Sequence, residues 1–129
     1  GTDKDFIIDV DGAGNIWVKR FPMHMVVSGV MRNAAASTFR IAANTFAKAA
    51  IVTDADVGLE DNSAAAITTA VTDGTDTINA NIGGAGSNEA NGSGTINVAT
   101  TDFITVTTTP VGDESGNIFT CVLTYYYDF

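Results

Sequence analysis

Apolar and polar residues alternate with a period of two over much of this chain, between clusters of Gly, Asp and Asn. This pattern predicts short β-strands joined by turns, because successive strand residues point to opposite faces of a sheet. The alternation is most regular near the end of the sequence, where Phe119, Cys121 and Leu123 share one face. We expect this segment to be a central strand that is packed on at least one side.

The first strand signals, DFIIDV and IWVKRF, flank the segment DGAGN. They predict a hairpin in which Asp11-Gly12 and Gly14-Asn15 supply the positive φ angles that short turns require. The pattern continues past Pro22 as MHMVVSGV. Because proline has no N–H for a β-ladder, we expect a bend or an edge strand at that point.

The middle of the chain gives weaker signals. Phe39 and Ile41 in STFRIA favour a strand over a short helix, and TINANI alternates like a half-buried strand. The stretch GGAGSNEANGSG, at about 83–94, is rich in Gly, Asn and Ser and predicts a long flexible loop.

Length and these elements together predict the fold class. A chain of 129 residues fits a single β-domain spanning 1–129. Several short strands, without a convincing amphipathic helix, predict an all-β protein. We expect an antiparallel β-sandwich or barrel, of jelly-roll or immunoglobulin-like type.

Charge is distributed unevenly along the chain. All six Lys and Arg residues, the single His and four Asp residues fall within 1–48, whereas the remainder carries eleven carboxylates, for a net charge of −9. This split suits a domain that turns a mildly basic end toward a partner and an acidic remainder toward solvent. The negative charge disfavours nucleic-acid binding, and the sequence lacks the apolar run of about 18 residues that a membrane helix needs.

Two acidic segments are candidate calcium sites. The first begins at Asp9 like a calcium-binding loop but has Ala13 and Arg20 at ligand positions, so a plain hairpin turn is the better interpretation. The second is a denser patch of Asp54, Asp56, Glu60 and Asp61. Nothing in the sequence fixes the geometry of these side chains, so we interpret the patch as a solvated acidic loop and expect no metal and no cofactor.

Catalytic chemistry finds little support in the sequence. His24 lies between two methionines on a predicted strand, and we expect it at a packed or subunit surface. Cys121 alternates with apolar residues and is expected to be a buried, inert thiol. As the only cysteine it can form no intrachain disulfide, which suits synthesis in a reducing cytoplasm. We expect no enzyme and no catalytic residues.

Two further groups of polar and aromatic residues near the end of the chain have simple interpretations. Asp113 and Glu114 precede Gly116-Asn117 and are expected to be turn residues. Tyr125 and Tyr127 share a strand face and could stack on a sugar, but packing in the core or at an interface is the favoured interpretation.

The body rich in Thr, Ala, Gly and Asn, and the closing pattern DFITVTTTPVGDESGNIFTCVLTYYYDF, resemble small β-rich virion proteins of tailed bacteriophages, especially capsid decoration (cement) proteins. The resemblance implies a non-enzymatic structural protein on the capsid surface that binds the major capsid protein and stabilises the phage head. It also implies a homotrimer or other homo-oligomer. Together with the charge, the single cysteine and the lack of a long apolar run, it predicts synthesis in the host cytoplasm and no nucleic-acid or membrane partner. The alternative is a lectin-like or carbohydrate-binding module of a fibre or receptor-binding protein.

Charge alone predicts where such a protein would dock on a shell. The cations lie in the N-terminal part of the chain, and an acidic remainder would keep the protein soluble at high local density. The predicted docking residues are Lys4, Lys19, Arg20, Arg32 and Arg40.

Overall fold

The described part of the chain forms ten antiparallel β-strands. The computed structural model describes residues 6–10, 12–14, 16–43, 45–46 and 48–127, and no helix occurs among them. This confirms the predicted all-β class. The strands are β1 (Phe6–Val10), β2 (Ile16–Arg20), β3 (Met23–Val30), β4 (Ser37–Ile41), β5 (Ala50–Leu59), β6 (Ile67–Thr72), β7 (Thr77–Asn79), β8 (Glu89–Val98), β9 (Ile104–Pro110) and β10 (Ile118–Tyr127).

Strands β3 to β10 pair as one long double ribbon whose tip is the β6–β7 hairpin. Outward from this tip, β5 pairs with β8, β4 with β9 and β3 with β10. The ribbon is rolled up, so that β10 also pairs with β5 and β9 also pairs with β6. Two four-stranded sheets result: sheet I, in the order β3-β10-β5-β8, and sheet II, in the order β4-β9-β6-β7. Eight strands rolled in this way form a jelly-roll sandwich, one of the two predicted types.

The predicted N-terminal hairpin is present as a separate two-stranded sheet. β1 pairs with β2 from Phe6↔Arg20 to Val10↔Ile16, and Gly14 in the turn has a φ of 84°. Asp11 and Asn15 lie outside the described residues. The chain interrupts its strand at Pro22, and the strand that follows is at an edge of sheet I, as predicted.

The core lies between sheets I and II and is built by alternate residues of their strands. Phe119, Cys121 and Leu123 are fully buried, and β10 is paired on both sides, which confirms the predicted central strand. In TINANI, Ile78, Ala80 and Ile82 are buried as the alternation predicted, although the ladder itself covers only β7.

Strand β8 corrects the prediction of a loop at 83–94. Residues 89–94 belong to this strand, and its glycines serve close packing instead of flexibility. Gly92 is buried against β7, where an added Cβ would overlap the backbone carbonyl of Asn79. Glycine is the residue that allows two backbones to approach so closely.

Strand β5 corrects the prediction of an acidic loop. Asp54 and Asp56 lie within the strand, and only Glu60 and Asp61 follow it. The pairing register of β5 with β8 shifts between Val52 and Asp54. A shift of this kind breaks the period of two, which hides the strand pattern in the sequence.

The opposite edge of the sandwich depends on a second glycine. An added Cβ on Gly29 in β3 would overlap the ring of Phe39 in β4. That ring stacks on the buried ring of Phe119 at 6.0 Å between centroids. The predicted strand around Phe39 and Ile41 is therefore confirmed, and it closes the sandwich beside β3.

The turn between β9 and β10 contains a buried carboxylate. Asp113 and Glu114 both lie in this turn, as predicted, but Glu114 is only 4% exposed. Its Oε1 accepts hydrogen bonds from the N–H groups of Ala64 (2.6 Å) and Ala65 (3.2 Å), and its Oε2 accepts one from the Asn117 amide at 3.2 Å. These bonds tie the turn to the segment that follows β5.

No helix that could cross a bilayer is present in the part of the chain that the structure describes.

Replacing Gly92 with Ala is expected to destabilise the fold by about 1–3 kcal/mol, because the new methyl group must push β7 away from β8. Gly58 in β5 is a matched control, since a Cβ there would make ordinary contact with the Asn88 carbonyl oxygen at 3.9 Å. Gly58→Ala should be neutral or stabilise by up to about 1 kcal/mol. Urea unfolding of both variants measures the difference, and equal midpoints would show that the approach of β7 to β8 is not tight.

Candidate functional site

The structure separates two of the predicted docking residues, Arg32 and Arg40. Lys4 lies outside the described residues, and Lys19 and Arg20 belong to β2. Arg32 and Arg40 are both exposed. They do not form one patch, because they lie toward opposite ends of the sandwich.

The ends are defined by the neighbours of each arginine. Arg32 follows Met31, which exchanges backbone hydrogen bonds with Asn117 and Gly116 in the β9–β10 turn. Arg40 is paired with Thr105, near the other end of β9. The length of β9 therefore separates the two, a distance of about 20 Å at the usual strand rise.

Arg40 has a defined position on the outer face of sheet II. Its guanidinium carbon lies 3.6 Å from the centre of the Phe103 ring, a cation–π arrangement. Phe103 is itself 41% exposed, so the arginine covers an apolar ring that would otherwise face water. Stacking restricts the side chain and leaves its N–H donors available to a partner.

Most other positions on the outer face of sheet II carry neutral hydroxyl groups. Among the strand positions of this face, all of which are described, Arg40 is the only charged residue. The hydroxyls of Thr38 and Thr107 lie 3.1 Å apart across the β4–β9 ladder. The threonines of this face are Thr38, Thr68, Thr72, Thr77, Thr105, Thr107 and Thr109.

The outer face of sheet I has a different character and is divided into two halves. Its β3–β10 half carries four apolar residues in two directly opposed pairs, Val30 with Ile118 and Val26 with Val122. Val26 and Val30 are 62% and 60% exposed, and Ile118 is 41% exposed. We call this row the apolar stripe: Val26, Val30, Ile118 and Val122.

The β5–β8 half of the same face carries carboxylates. Asp56 lies opposite Val122 on one side and Asn91 on the other, and it accepts a hydrogen bond from the Asn91 amide. An open groove of about 510 Å³ runs past Asp56, Glu89 and Asn91. We call this row the acidic column: Asp54, Asp56 and Glu89. The column could not be predicted from the sequence, because β8 lies beside β5 only once the strands have taken their order in the folded sheet.

The C-terminal tyrosines pack against each other and the core. The rings of Tyr125 and Tyr127 meet edge to face, with centroids 5.9 Å apart and planes at 78°. Phe46, which is buried, meets Tyr125 in a similar way at 4.9 Å. This confirms the favoured interpretation of core packing for both tyrosines.

The remaining candidates for chemistry lie apart. His24 is exposed on β3 opposite Thr124, and Cys121 is fully buried in β10. Burial raises the pKa of the Cys121 thiol to about 11, and the charge of Asp56 adds to the shift. In the described part of the chain, no three His, Cys, Asp or Glu side chains lie close enough together to hold a metal ion.

Comparison with known proteins gives no match: neither a family model nor a curated protein sequence matches this chain.

Cys121 should be unreactive at pH 8 in the folded protein. Raising its pKa from 9.0 to about 11 lowers the thiolate fraction roughly 100-fold, and burial excludes the reagent as well. An aromatic disulfide reagent should therefore modify the thiol much faster in urea than under native conditions. Fast modification of the native protein would contradict the buried position.

The same shift sets a pH dependence of stability. Because the folded pKa is raised, the contribution of the thiol to stability is fully present below pH 9 and is lost as the pH rises toward 11. The unfolding free energy of the wild type should fall more steeply over this range than that of Cys121→Ala. The variant is the control, because it lacks the thiol but keeps every other group that loses a proton at high pH. Parallel curves for the two proteins would contradict the shift.

Proposed function

We propose that this protein is a non-enzymatic structural protein of a virus particle, a capsid decoration protein that binds the major capsid protein on the outside of a phage head. The observation that carries the proposal is the contrast between the two outer faces of the sandwich. One face is neutral with a single cation, and the other combines an apolar stripe with an acidic column. A protein that coats a shell needs separate surfaces of this kind for the shell and for its neighbours.

The fold supports the proposal by analogy. Jelly rolls occur in viral capsid proteins and also in lectins, and fold alone does not establish function. The exposed apolar stripe adds a physical argument, because large apolar side chains exposed together on one face can mark a site of contact with another protein. Its two apolar pairs lie on either side of the Ser28–Thr120 pair. Half of the stripe belongs to the edge strand β3, whose outer side no other described strand pairs with.

We place the shell contact on the outer face of sheet II, around Arg40. The threonine hydroxyls of this face can form hydrogen bonds without desolvating a charge, which costs less than burying ions. Arg40 is held in place by Phe103 and can pair with a carboxylate of the shell. The acidic column of sheet I would then face away from the shell and keep the coated particle soluble.

The alternative, a lectin-like module, rests on the groove beside Asp56, Glu89 and Asn91. Carboxylate and amide groups at an open groove can hydrogen-bond to sugar hydroxyls. A glycan-binding screen with and without calcium separates the two functions. A decoration protein should bind no glycan under either condition, whereas saturable binding to one glycan class would favour the lectin-like function.

The first test of the proposed function is quantitative mass spectrometry of the purified source particle. We expect the number of copies of this chain to be of the same order as that of the most abundant shell protein. A few copies per particle would favour a fibre or receptor-binding module, and absence from the particle would contradict the virion proposal.

Arg40→Glu should weaken binding to particles that lack this protein, because the substitution reverses the only charge among the described strand positions of the proposed docking face. Loss of a charge-assisted pair at an interface typically costs about 2–5 kcal/mol, which corresponds to at least tenfold weaker binding. Arg32→Glu, with the same change of charge at the other end of the sandwich, is the matched control. Co-sedimentation with particles measures both, and unchanged binding of Arg40→Glu would exclude the docking face proposed here.

A further inference from the structure

The outer edge of β3 is a row of backbone groups that no described strand pairs with, β1 and β2 included. Met31, directly after the strand, donates its N–H to the Asn117 carbonyl at 2.8 Å and accepts a hydrogen bond from the Gly116 N–H at 3.3 Å. The backbone groups of Met31 therefore point toward β10. Because these groups alternate between the two sides of an antiparallel strand, every second residue of β3 directs its N–H and C=O outward. The outward residues are His24, Val26, Ser28 and Val30.

This edge lacks the features that usually block a free strand edge, which are short length, charged side chains, proline and bulges. β3 has eight residues, contains no Lys, Arg, Asp, Glu or Pro, and pairs with β10 in one unbroken register. The edges of sheet II are blocked, because β7 has three residues and β4 has five, including Arg40. The edge of sheet I on β8 lies against β7 at Gly92. Among the described strands of the two sheets, β3 therefore offers the edge most open to another strand.

Charge favours a second copy of this chain at the edge. Two copies with a net charge of −9 repel each other wherever their carboxylates approach, and β3 carries none. The acidic column lies on β5 and β8, so β10 and β3 separate it from the edge. If two β3 strands paired, the β5 strands of the two copies would be five strand spacings apart, about 24 Å. This distance exceeds the Debye length of about 8 Å at physiological salt, so the two columns would hardly repel.

We propose that two copies pair antiparallel through the outer edges of β3, so that sheet I of one copy continues into sheet I of the other. Pairing centred on Val27 places His24 opposite Val30 of the second copy, and Val26 opposite Ser28. All four outward residues of each strand then form hydrogen-bonded pairs, with about eight backbone hydrogen bonds in total. A register shifted by one pair toward the start of β3 would need an N–H group that Pro22 lacks.

The paired edges would also bring exposed apolar side chains together. Val26 and Val30 are 62% and 60% exposed, and on the joined sheet those of the two copies become neighbours across the new ladder. The contact is isologous and uses the same edge of both copies, so it stops at a two-fold dimer. The proposal goes beyond the proposed function, since free copies would pair without a particle.

Amide hydrogen exchange of the wild type, combined with sedimentation velocity, tests the contact. The protein should form a dimer as its concentration rises. In the dimer, the N–H groups of Val26, Ser28 and Val30 should exchange at least about tenfold more slowly than in the dilute monomer, because they become hydrogen-bonded. Those of Met25 and Val27, which face β10, should be protected in both states. A protein that stays monomeric, or a dimer in which the outward N–H groups exchange as in the monomer, would overturn the proposal.

A pair of substitutions at one position separates backbone pairing from side-chain contact. Val26→Pro removes an outward N–H but none that bonds to β10, and proline is tolerated on edge strands. It should raise the dissociation constant of the dimer roughly tenfold or more. Val26→Thr is the matched control, since it keeps the N–H and the branched shape, and it should dimerise like the wild type.

Two results of this comparison would contradict edge pairing: dimerisation of Val26→Pro equal to that of the wild type, or a loss in Val26→Thr as large as in Val26→Pro. If Val26→Pro does not fold, the exchange pattern of the wild type decides alone. Both experiments use free protein, so their failure would leave the test of Arg40 on particles unaffected.

Discussion

The backbones of β7 and β8 meet directly at Gly92, and the closure of the sandwich depends on this contact. Packed sheets normally lie about 10 Å apart, a gap that side chains fill. Here the two sheets converge at one edge, because no Cβ separates Gly92 from the Asn79 carbonyl. At the other edge, the Phe39 ring occupies the space above Gly29. The buried side chains between sheets I and II are thus sealed on both sides without long loops.

Period-two alternation was enough to predict the strands that follow it without interruption. The strand from 118 to 127 and the burial of Ile78 could be predicted in this way, because each depends on local sequence. The edge position after Pro22 followed from a different local signal, the missing N–H group of proline. Strand β5 was missed because its register shifts after Val52. Strand β8 was missed because its glycines resemble a linker, and their true role depends on β7, which is distant in space until the chain folds.

The charge pattern shows a similar limit. Arg32 and Arg40 are close in sequence but lie toward opposite ends of the sandwich. Asp56 and Glu89 are distant in sequence but line one groove on the same face. Strand order decides this placement, and only the fold class, not the strand order, could be predicted from the sequence.

The environment of Glu114 likewise depends on a segment that is distant in sequence. Its segment has the composition of an exposed turn, but its carboxylate is buried because the N–H groups of Ala64 and Ala65 converge on it.

The nested pairing has a consequence for biosynthesis. Strand β10 lies between β3 and β5, so sheet I cannot form while the ribosome has yet to add residues 118–127. Until then β3 and β5 have no neighbour at the edges that β10 will occupy, and contacts between such distant segments form slowly. Free strand edges invite pairing with other chains, and charged residues such as Asp54 and Asp56 oppose it. We therefore expect the carboxylates on β5 to oppose aggregation of the unfinished chain during translation as well.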